Sequence, residues 1–311
     1  MRKLLYQYIL ILLNSLLFVS PCLYGCKTSD PKNALPLREN TSYYSLPTPS
    51  QNDTPNTAKP VSKIWDVENE DVSSLNPTKK YIAFTFDDAP TIHLPKLVSV
   101  FSSFNQNNPD CIASATIFYN GVNLNEYTLP YLQSAYDCGL ELANHTYSHC
   151  DLRKLTLTEL CKEIDLVDVF LQKIDGKPRH LLRAPYGAVS DDFREVANVP
   201  ILDWSVDTLD WTGNSTEEIC EKVINGLEAG GIVLFHDGAP HTIEAVARLL
   251  PLLKEKDYQV VSVSKLSKAH TCPLRTGGLY TRARPKKKDK LPTKQNRPNL
   301  GGFLFLNFTY F

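Results

Sequence analysis

Short apolar runs alternate with longer amphipathic runs through the middle of the chain, from about residue 81 to residue 266. Seven predicted strands cover residues 81–86, 115–120, 140–143, 180–183, 200–206, 231–235 and 259–263. The clearest predicted helices cover residues 157–174 and 216–227, and polar residues suited to helix caps precede both. This alternation is typical of a parallel sheet with helices outside it. We therefore predict an α/β fold, a distorted, closed or incomplete (β/α) barrel of about seven parallel strands.

The N-terminal flank has a different composition from this central region. Residues 1–26 carry Arg2 and Lys3 before an apolar core at residues 9–19, which is the layout of a signal peptide. That core is too short for a comfortable membrane span. Leu23 to Cys26 resemble a bacterial lipobox, in which the cysteine is lipidated, and ordinary cleavage nearby or an uncleaved anchor are the alternatives. We expect an exported protein of the cell envelope, with membrane attachment through the signal segment or a lipid.

Composition and charge patterning divide the rest of the chain. Residues 27–78 are rich in Pro, Ser, Thr and Asn and are predicted to be a solvated linker. The folded domain is predicted at residues 79–270. Residues 271–311 are predicted to be a basic tail with a short aromatic C-terminus, which could contact anionic wall polymer or lipid or stay solvated.

Overall composition sets limits on size and partners. With 311 residues, of which 42% are hydrophobic and 22% charged, the chain can bury a full core. A formal net charge of -1 gives no reason to expect a nucleic-acid partner. Six cysteines beyond the N-terminal segment are too scattered for a metal knuckle. In an oxidising compartment some could pair, and buried free thiols are the alternative.

Two adjacent carboxylates, Asp87 and Asp88, end the first predicted strand in the run TFDDAP. Neighbouring strand residues point to opposite faces, so at a strand end one aspartate could hold a metal while the other moves a proton. A plain turn explains the same residues when the run is considered alone.

Two histidines, His145 and His149, follow another predicted strand in the run HTYSH. Histidines four residues apart meet on one face if the segment is a helical turn, and both rings could then bind one ion. With a carboxylate from another strand end they would form a ligand set that leaves positions open for water and substrate.

Further chemical groups follow three other predicted strands. Arg183 lies where it could orient a carboxylate and keep it ionised. The segment from Asp203 to Trp211 contains aspartates and indoles that suit a sugar-binding wall and an acid orienting a histidine. His236 follows a buried strand, where it could act as a general acid. Each of these groups has an ordinary structural explanation when considered alone.

Together these motifs resemble the polysaccharide deacetylases of carbohydrate esterase family four, which share the nodulation chitooligosaccharide deacetylase domain. The resemblance covers residues 79–268, and five family motifs occur in order as TFDDAP, HTYSH, RAPYG, DTLDW and LFH. Ala89 stands where the family usually has glycine, which would distort the loop slightly if this position needs positive φ. No ligand or proton carrier is missing, so we predict a competent enzyme.

The resemblance implies a role for each matching residue. Asp88, His145 and His149 are expected to bind a divalent metal, usually zinc, with cobalt, nickel or manganese as alternatives. The catalytic set would be Asp87 as general base, Arg183 as its holder, His236 as general acid and Asp210 as the residue orienting it. The substrate pocket would be formed by the backbone N–H of Tyr186, by Trp211 and by Leu234.

The implied activity is metal-dependent removal of N-acetyl groups from an acetylated amino-sugar polymer, with release of acetate. The export signal and linker favour cell-wall peptidoglycan as the glycan. Chitin oligosaccharides, O-acetylated xylan and a catalytically weak glycan-binding lipoprotein are the alternatives. The sequence leaves the oligomeric state open.

Overall fold

Parallel strands dominate the computed structural model, which describes residues 63–67 and 70–284. The strands are β1 (Lys80–Ala89), β2 (Thr116–Tyr119), β3 (Glu141–Asn144), β4 (Ile201–Leu202), β5 (Val206–Asp207), β6 (Ile232–His236), β7 (Tyr258–Val261) and β8 (Leu279–Tyr280). One sheet has the order β3-β2-β1-β6-β5, and β7 pairs with the first half of β1. All of these pairings are parallel. The predicted parallel α/β fold is confirmed.

Beyond β3 the sheet continues only weakly. Single bridges join Asn144 to Leu182 and Leu182 to Ile201, and β4 then pairs with β8. Within the described part of the chain the strands do not close into a complete ring. The predicted strand at residues 180–183 is therefore reduced to one bridging residue, Leu182.

The predicted strand at residues 200–206 is divided into β4 and β5. β4 pairs with β8 and β5 pairs with β6, and the side chain of Arg183 lies at the interruption. The carbonyl oxygens of Leu202 and Asp203 accept hydrogen bonds from the guanidinium of Arg183, at 3.3 and 3.1 Å. These two carbonyls therefore serve the arginine instead of a neighbouring strand.

Two apolar layers follow from the alternation of side chains along the strands. Residues such as Ala83, Phe118 and Ile232 point into the barrel interior and pack together. Phe84 and Phe235 point outward into a larger core against the helices. The barrel wall is therefore packed on both faces, which fixes the positions of the strand ends.

Seven helices surround the strands in the described residues. They are α1 (Leu94–Asn107), α2 (Leu129–Asp137), α3 (Leu157–Asp175), α4 (Asp191–Ala197), α5 (Thr216–Asn225), α6 (Thr242–Glu255) and α7 (Val263–Ala269). The predicted helices at 157–174 and 216–227 correspond to α3 and α5. Both begin with a capping box, Thr156 with Glu159 for α3 and Ser215 with Glu218 for α5. These reciprocal bonds satisfy backbone donors that the first turn leaves open.

Residues outside the predicted bounds 79–270 also belong to this domain. Trp65 N–H donates to the carbonyl of Leu274 at 2.7 Å, and Leu274 and Ala283 are buried in the interior cluster. All six cysteines of the described region are free thiols. In residues 63–67 and 70–284, none of the helices combines the length and apolarity that a membrane span requires. The predicted signal segment, the lipobox at Cys26 and residues 285–311 lie outside the described residues.

Candidate active site

The first strand reaches the site through a local irregularity. Phe86 is level with Ile117 of β2, but Ala89 is level with Tyr119, so β1 contains one extra residue between these pairs. Asp88 has φ 66°, a left-handed conformation, within this irregularity. Simple alternation would have put Asp87 and Asp88 on opposite faces, whereas here both carboxylates lie within 4 Å of one ring nitrogen of His145. β1 continues through both aspartates and ends at Ala89.

Ala89 itself does not require glycine. Its φ is not positive, and its methyl group is fully buried in the outer core. The left-handed residue in this loop is Asp88, and aspartate tolerates that conformation better than most residues.

A candidate metal site lies at the ends of β1 and β3. Single ligand atoms of Asp88, His145 and His149 all lie within 4.8 Å of one another. Nδ1 of His145 lies 2.9 Å from the carbonyl oxygen of Arg183 and can only donate to it, which leaves Nε2 with a free lone pair. Burial, followed by the neighbouring His145, lowers the pKa of His149 and favours a neutral ring. One carboxylate and two imidazoles suit a divalent ion such as zinc.

The loop that carries the two histidines is not a helical turn, so the proposed reason for their proximity was wrong. Thr146 and His149 have φ 66° and 55°, and the loop is shaped by contacts with another segment. The N–H groups of Gly121 and Val122 donate to the carbonyls of Thr146 and Tyr147, at 3.0 and 2.8 Å. The two rings still meet, with their centroids 5.0 Å apart.

Asp87 is held by a buried cation. One guanidinium nitrogen of Arg183 donates to Asp87 Oδ1 at 2.7 Å and to Thr85 Oγ1 at 2.9 Å. Arg183 is fully buried, and Asp87 is almost fully buried. Burial alone would raise the pKa of Asp87, but the positive charge of the Arg183 guanidinium lowers it. Asp87 is therefore a carboxylate at neutral pH, and its second oxygen faces the candidate metal site.

His236 lies beside Asp87 on the neighbouring strand, in direct register with it. Its Nδ1 is 2.7 Å from Asp210 Oδ1, and its backbone N–H donates to Asp210 Oδ2 at 2.8 Å. Thr242 also donates to that carboxylate at 2.6 Å. Burial opposes the positive charge of His236, but the hydrogen bond that it donates to Asp210 and the charge of Asp87 raise its pKa. The ring is thus oriented, and it holds a proton at higher pH than usual.

The residues assigned to the substrate pocket occupy two kinds of position. Tyr186 and Trp211 are 71% and 61% exposed, so their aromatic faces are open to a ligand. The Tyr186 ring also packs edge-on against His149, with centroids 4.8 Å apart. Leu234 is buried in β6, two residues before His236 and hence on the same face of the strand. Sequence reasoning did not assign a role to Gly121, where an added Cβ would lie 2.2–2.7 Å from Tyr147.

These groups define a class of protein. A carboxylate and two imidazoles form a candidate three-ligand metal site at the C-terminal edge of a parallel α/β barrel, beside an ionised aspartate and an ion-paired histidine. This is the arrangement of a metal-dependent hydrolase.

Comparison with known proteins identifies the family. The polysaccharide deacetylase family profile matches residues 74–199. A peptidoglycan-N-acetylglucosamine deacetylase of Bacillus cereus is 30% identical over 214 residues, which cover 65% of this chain and 91% of that protein. The chain belongs to the polysaccharide deacetylase family.

Two further similarities describe the extent of the match. The peptidoglycan-N-acetylmuramic acid deacetylase PdaC of Bacillus subtilis is 29% identical over 209 residues, which are 67% of this chain but 43% of PdaC. The chain thus spans less than half the length of that relative. A solved structure described as T48 deacetylase with substrate superimposes with a TM-score of 0.60 at 28% identity, covering 65% of this chain and 97% of that one.

Proposed function

We propose that this protein removes N-acetyl groups from an acetylated amino-sugar polymer, most specifically cell-wall peptidoglycan, and releases acetate. The observation that carries the proposal is the position of His145 Nε2. It lies 3.6 Å from Asp87 Oδ2 and 3.7 Å from Asp88 Oδ1. Only Asp87 is ion-paired with Arg183, and only Asp88 lies with both histidines in the candidate ligand set. Two adjacent carboxylates therefore have separate environments, one suited to proton transfer and one to metal binding.

The attack on the acetyl group would require one residue to accept a proton. Asp88, His145 and His149 would hold a divalent ion, which would polarise the acetyl carbonyl and lower the pKa of water beside it. Asp87 would accept the proton of that water as it attacks the carbonyl carbon. Arg183 would keep Asp87 ionised and aimed at the site. The backbone N–H of Tyr186 would donate to the carbonyl oxygen as negative charge develops there.

Departure of the sugar amine would require a proton donor. His236 would donate its Nε2 proton to the leaving nitrogen, because Nδ1 is committed to Asp210. The hydroxyl of the water ends in acetate, and the sugar amine gains one proton. Asp87 then passes the proton that it accepted to His236, so both residues return to their starting states. Asp210 and Thr242 would hold the ring in place throughout.

The choice of peptidoglycan is supported by the relatives and by the N-terminal sequence. The matched proteins of Bacillus subtilis and Bacillus cereus are named as peptidoglycan deacetylases. The signal-like residues 1–26 and the polar residues 27–78 suit an enzyme exported to the cell envelope. We propose zinc as the ion and lipid attachment at Cys26. Mass analysis of the mature N-terminus would test the lipid.

Acetate release tests the activity. The zinc-loaded full chain is incubated separately with peptidoglycan strands, N-acetylglucosamine oligomers and acetylated xylan. We expect acetate from peptidoglycan, with the new free amine located by mass spectrometry. Asp87→Asn should reduce the rate by about 10²–10⁴-fold, the usual contribution of a positioned base.

Each other outcome has a definite meaning. Faster release from chitin oligomers or xylan would overturn the choice of peptidoglycan. Zinc binding without acetate release from any of the three would overturn the enzymatic proposal and favour a glycan-binding role. An Asp87→Asn variant as active as the wild type would overturn the assignment of the base.

A further inference from the structure

The loop that carries the metal ligands is under conformational strain. Thr146 and His149 are both left-handed, and such conformations cost of order 1–3 kcal/mol for residues other than glycine. They persist only where the surrounding structure holds them. Part of that support comes from Gly121 and Val122. Tyr186 adds a hydrogen bond from its hydroxyl to the carbonyl of His149, at 3.3 Å, and helix α3 provides further support.

Asn144 connects the loop to α3. Its side-chain oxygen accepts the N–H of Thr146 at 2.8 Å, which stabilises the first left-handed residue. Its side-chain nitrogen donates to the carbonyl of Ile164 at 2.9 Å and to Asp168 Oδ1 at 3.0 Å. Asn144 is fully buried, so all three bonds form away from water. It also directly precedes the candidate ligand His145, and any rotation of its side chain would move the loop.

Asp168 is in turn held by His180. His180 Nδ1 lies 2.8 Å from Asp168 Oδ1, and Nε2 lies 3.2 Å from both oxygens of Asp175. A neutral imidazole has a single donor and would turn a lone pair toward one of these carboxylates, whereas an imidazolium donates to both. His180 and Asp168 are 2% and 3% exposed. Burial opposes the charge on His180, but its bonds to Asp168 and Asp175 raise its pKa.

Arg179 joins this cluster at its more exposed side. One of its guanidinium nitrogens donates to Asp168 Oδ2 at 3.2 Å and also to Asp165. Asp168 Oδ1 accepts from both His180 and Asn144. The buried pair of His180 and Asp168 is therefore linked through Asp168 Oδ1 to Asn144, the residue that holds the loop with the candidate metal ligands.

We propose that Asp168 and His180 are positioning residues for metal binding. They fix Asn144, and Asn144 fixes the backbone of the loop so that His145 and His149 face Asp88. The proposal rests on the proposed metal site. It assigns a role in metal binding to a pair that links helix α3 to the side chain of Asn144.

Zinc affinity tests this role without using turnover. The zinc Kd of the full chain is measured by competition with a chromophoric chelator, well below the unfolding temperature, for wild type, Asp168→Ala, Asp168→Asn and His180→Gln. Loss of such an outer partner typically weakens metal binding by about 10–100-fold, and we expect this for Asp168→Ala. Asp168→Asn should lose less, because its amide oxygen can still accept from Asn144.

Glu141→Ala is the matched control. Glu141 lies on the same strand as Asn144, and its carboxylate accepts hydrogen bonds from Thr116 and Ser264 at the other end of that strand. Glu141→Ala should lower the unfolding temperature and leave the zinc Kd within about twofold of wild type, because distant sites act independently.

The outcomes separate this proposal from the proposed function. If wild type fails to bind zinc, the metal site itself is wrong. If wild type binds zinc and folded Asp168→Ala binds it equally well, the positioning role is wrong and the metal site stands. Should Asp168→Ala not fold, unchanged zinc Kd values for both Asp168→Asn and His180→Gln would overturn the proposal in the same way.

Discussion

Replacing Arg183 by methionine should be the most destabilising single change at the site. The guanidinium donates to Asp87, Thr85 and the carbonyls of Leu202 and Asp203, and it is fully buried. Methionine keeps much of the volume and removes the charge. The carboxylate of Asp87 is then buried without its partner, which costs about 3–5 kcal/mol. A domain of this size loses about 2–4 °C per kcal/mol, so we expect the unfolding temperature to fall by about 6–20 °C.

The measurement is thermal and urea unfolding of the metal-free protein at pH 7. Arg153→Met is the matched control, because Arg153 also pairs with an aspartate but is 61% exposed, and such surface pairs contribute about 0–1 kcal/mol. Arg183→Lys should fall between the two, since an ammonium can pair with Asp87 but lacks the planar fork that reaches two carbonyls. A loss below about 1 kcal/mol for Arg183→Met would refute the view that a buried ion pair holds Asp87.

Three further changes have defined outcomes. Gly121→Ala forces a methyl group against Tyr147, with contacts of 2.2–2.7 Å, and should cost about 1–3 kcal/mol and weaken zinc binding, measured by unfolding and chelator competition. Asp210→Asn removes the negative charge that helps to raise the pKa of His236 and leaves a weaker, neutral acceptor, so His236 loses its proton at lower pH and the alkaline limb of kcat/KM should move to lower pH. Thr156→Ala removes the N-cap of α3 and should cost about 1 kcal/mol in urea unfolding, with turnover unchanged.

Each of these predictions has an observation that contradicts it. Gly238→Ala brings a methyl group only to 3.2 Å from the side chain of Thr91, so a Gly121→Ala variant as mild as Gly238→Ala would argue against a close-packed loop. An unmoved alkaline limb in Asp210→Asn would mean that His236 is not the titrating acid. For Thr156→Ala, an unchanged urea midpoint would show that the capping box does not stabilise the helix.

Local signals made α3 predictable and left the metal loop unpredictable. The capping box at Thr156 and Glu159 and the left-handed Gly176 mark both ends of that helix within its own sequence. The conformation of Thr146 depends on the nearby side chain of Asn144 and also on Gly121, a residue distant in the chain. A helical turn is the simplest local structure that brings two histidines four residues apart together. Contacts with another segment instead give this loop a non-helical conformation in which the two rings still meet.

The same distinction applies to the site as a whole. The motifs placed Asp87, Asp88, Arg183 and His236 at strand ends, and parallel strands bring their ends to one edge of a sheet. The link between Asp168 and His180 carries no comparable signal, because one lies within an amphipathic helix and the other in a segment that reads as a strand. Their charges meet only after both elements have packed.

The additional residue in β1 makes the chemistry depend on residue count as well as residue type. The two positions between Phe86 and Ala89 are Asp87 and Asp88, so removing either one to restore regular pairing with β2 would delete a functional carboxylate. Anyone who transplants this centre into another barrel must therefore copy the irregular backbone of the strand together with the amino acids it presents.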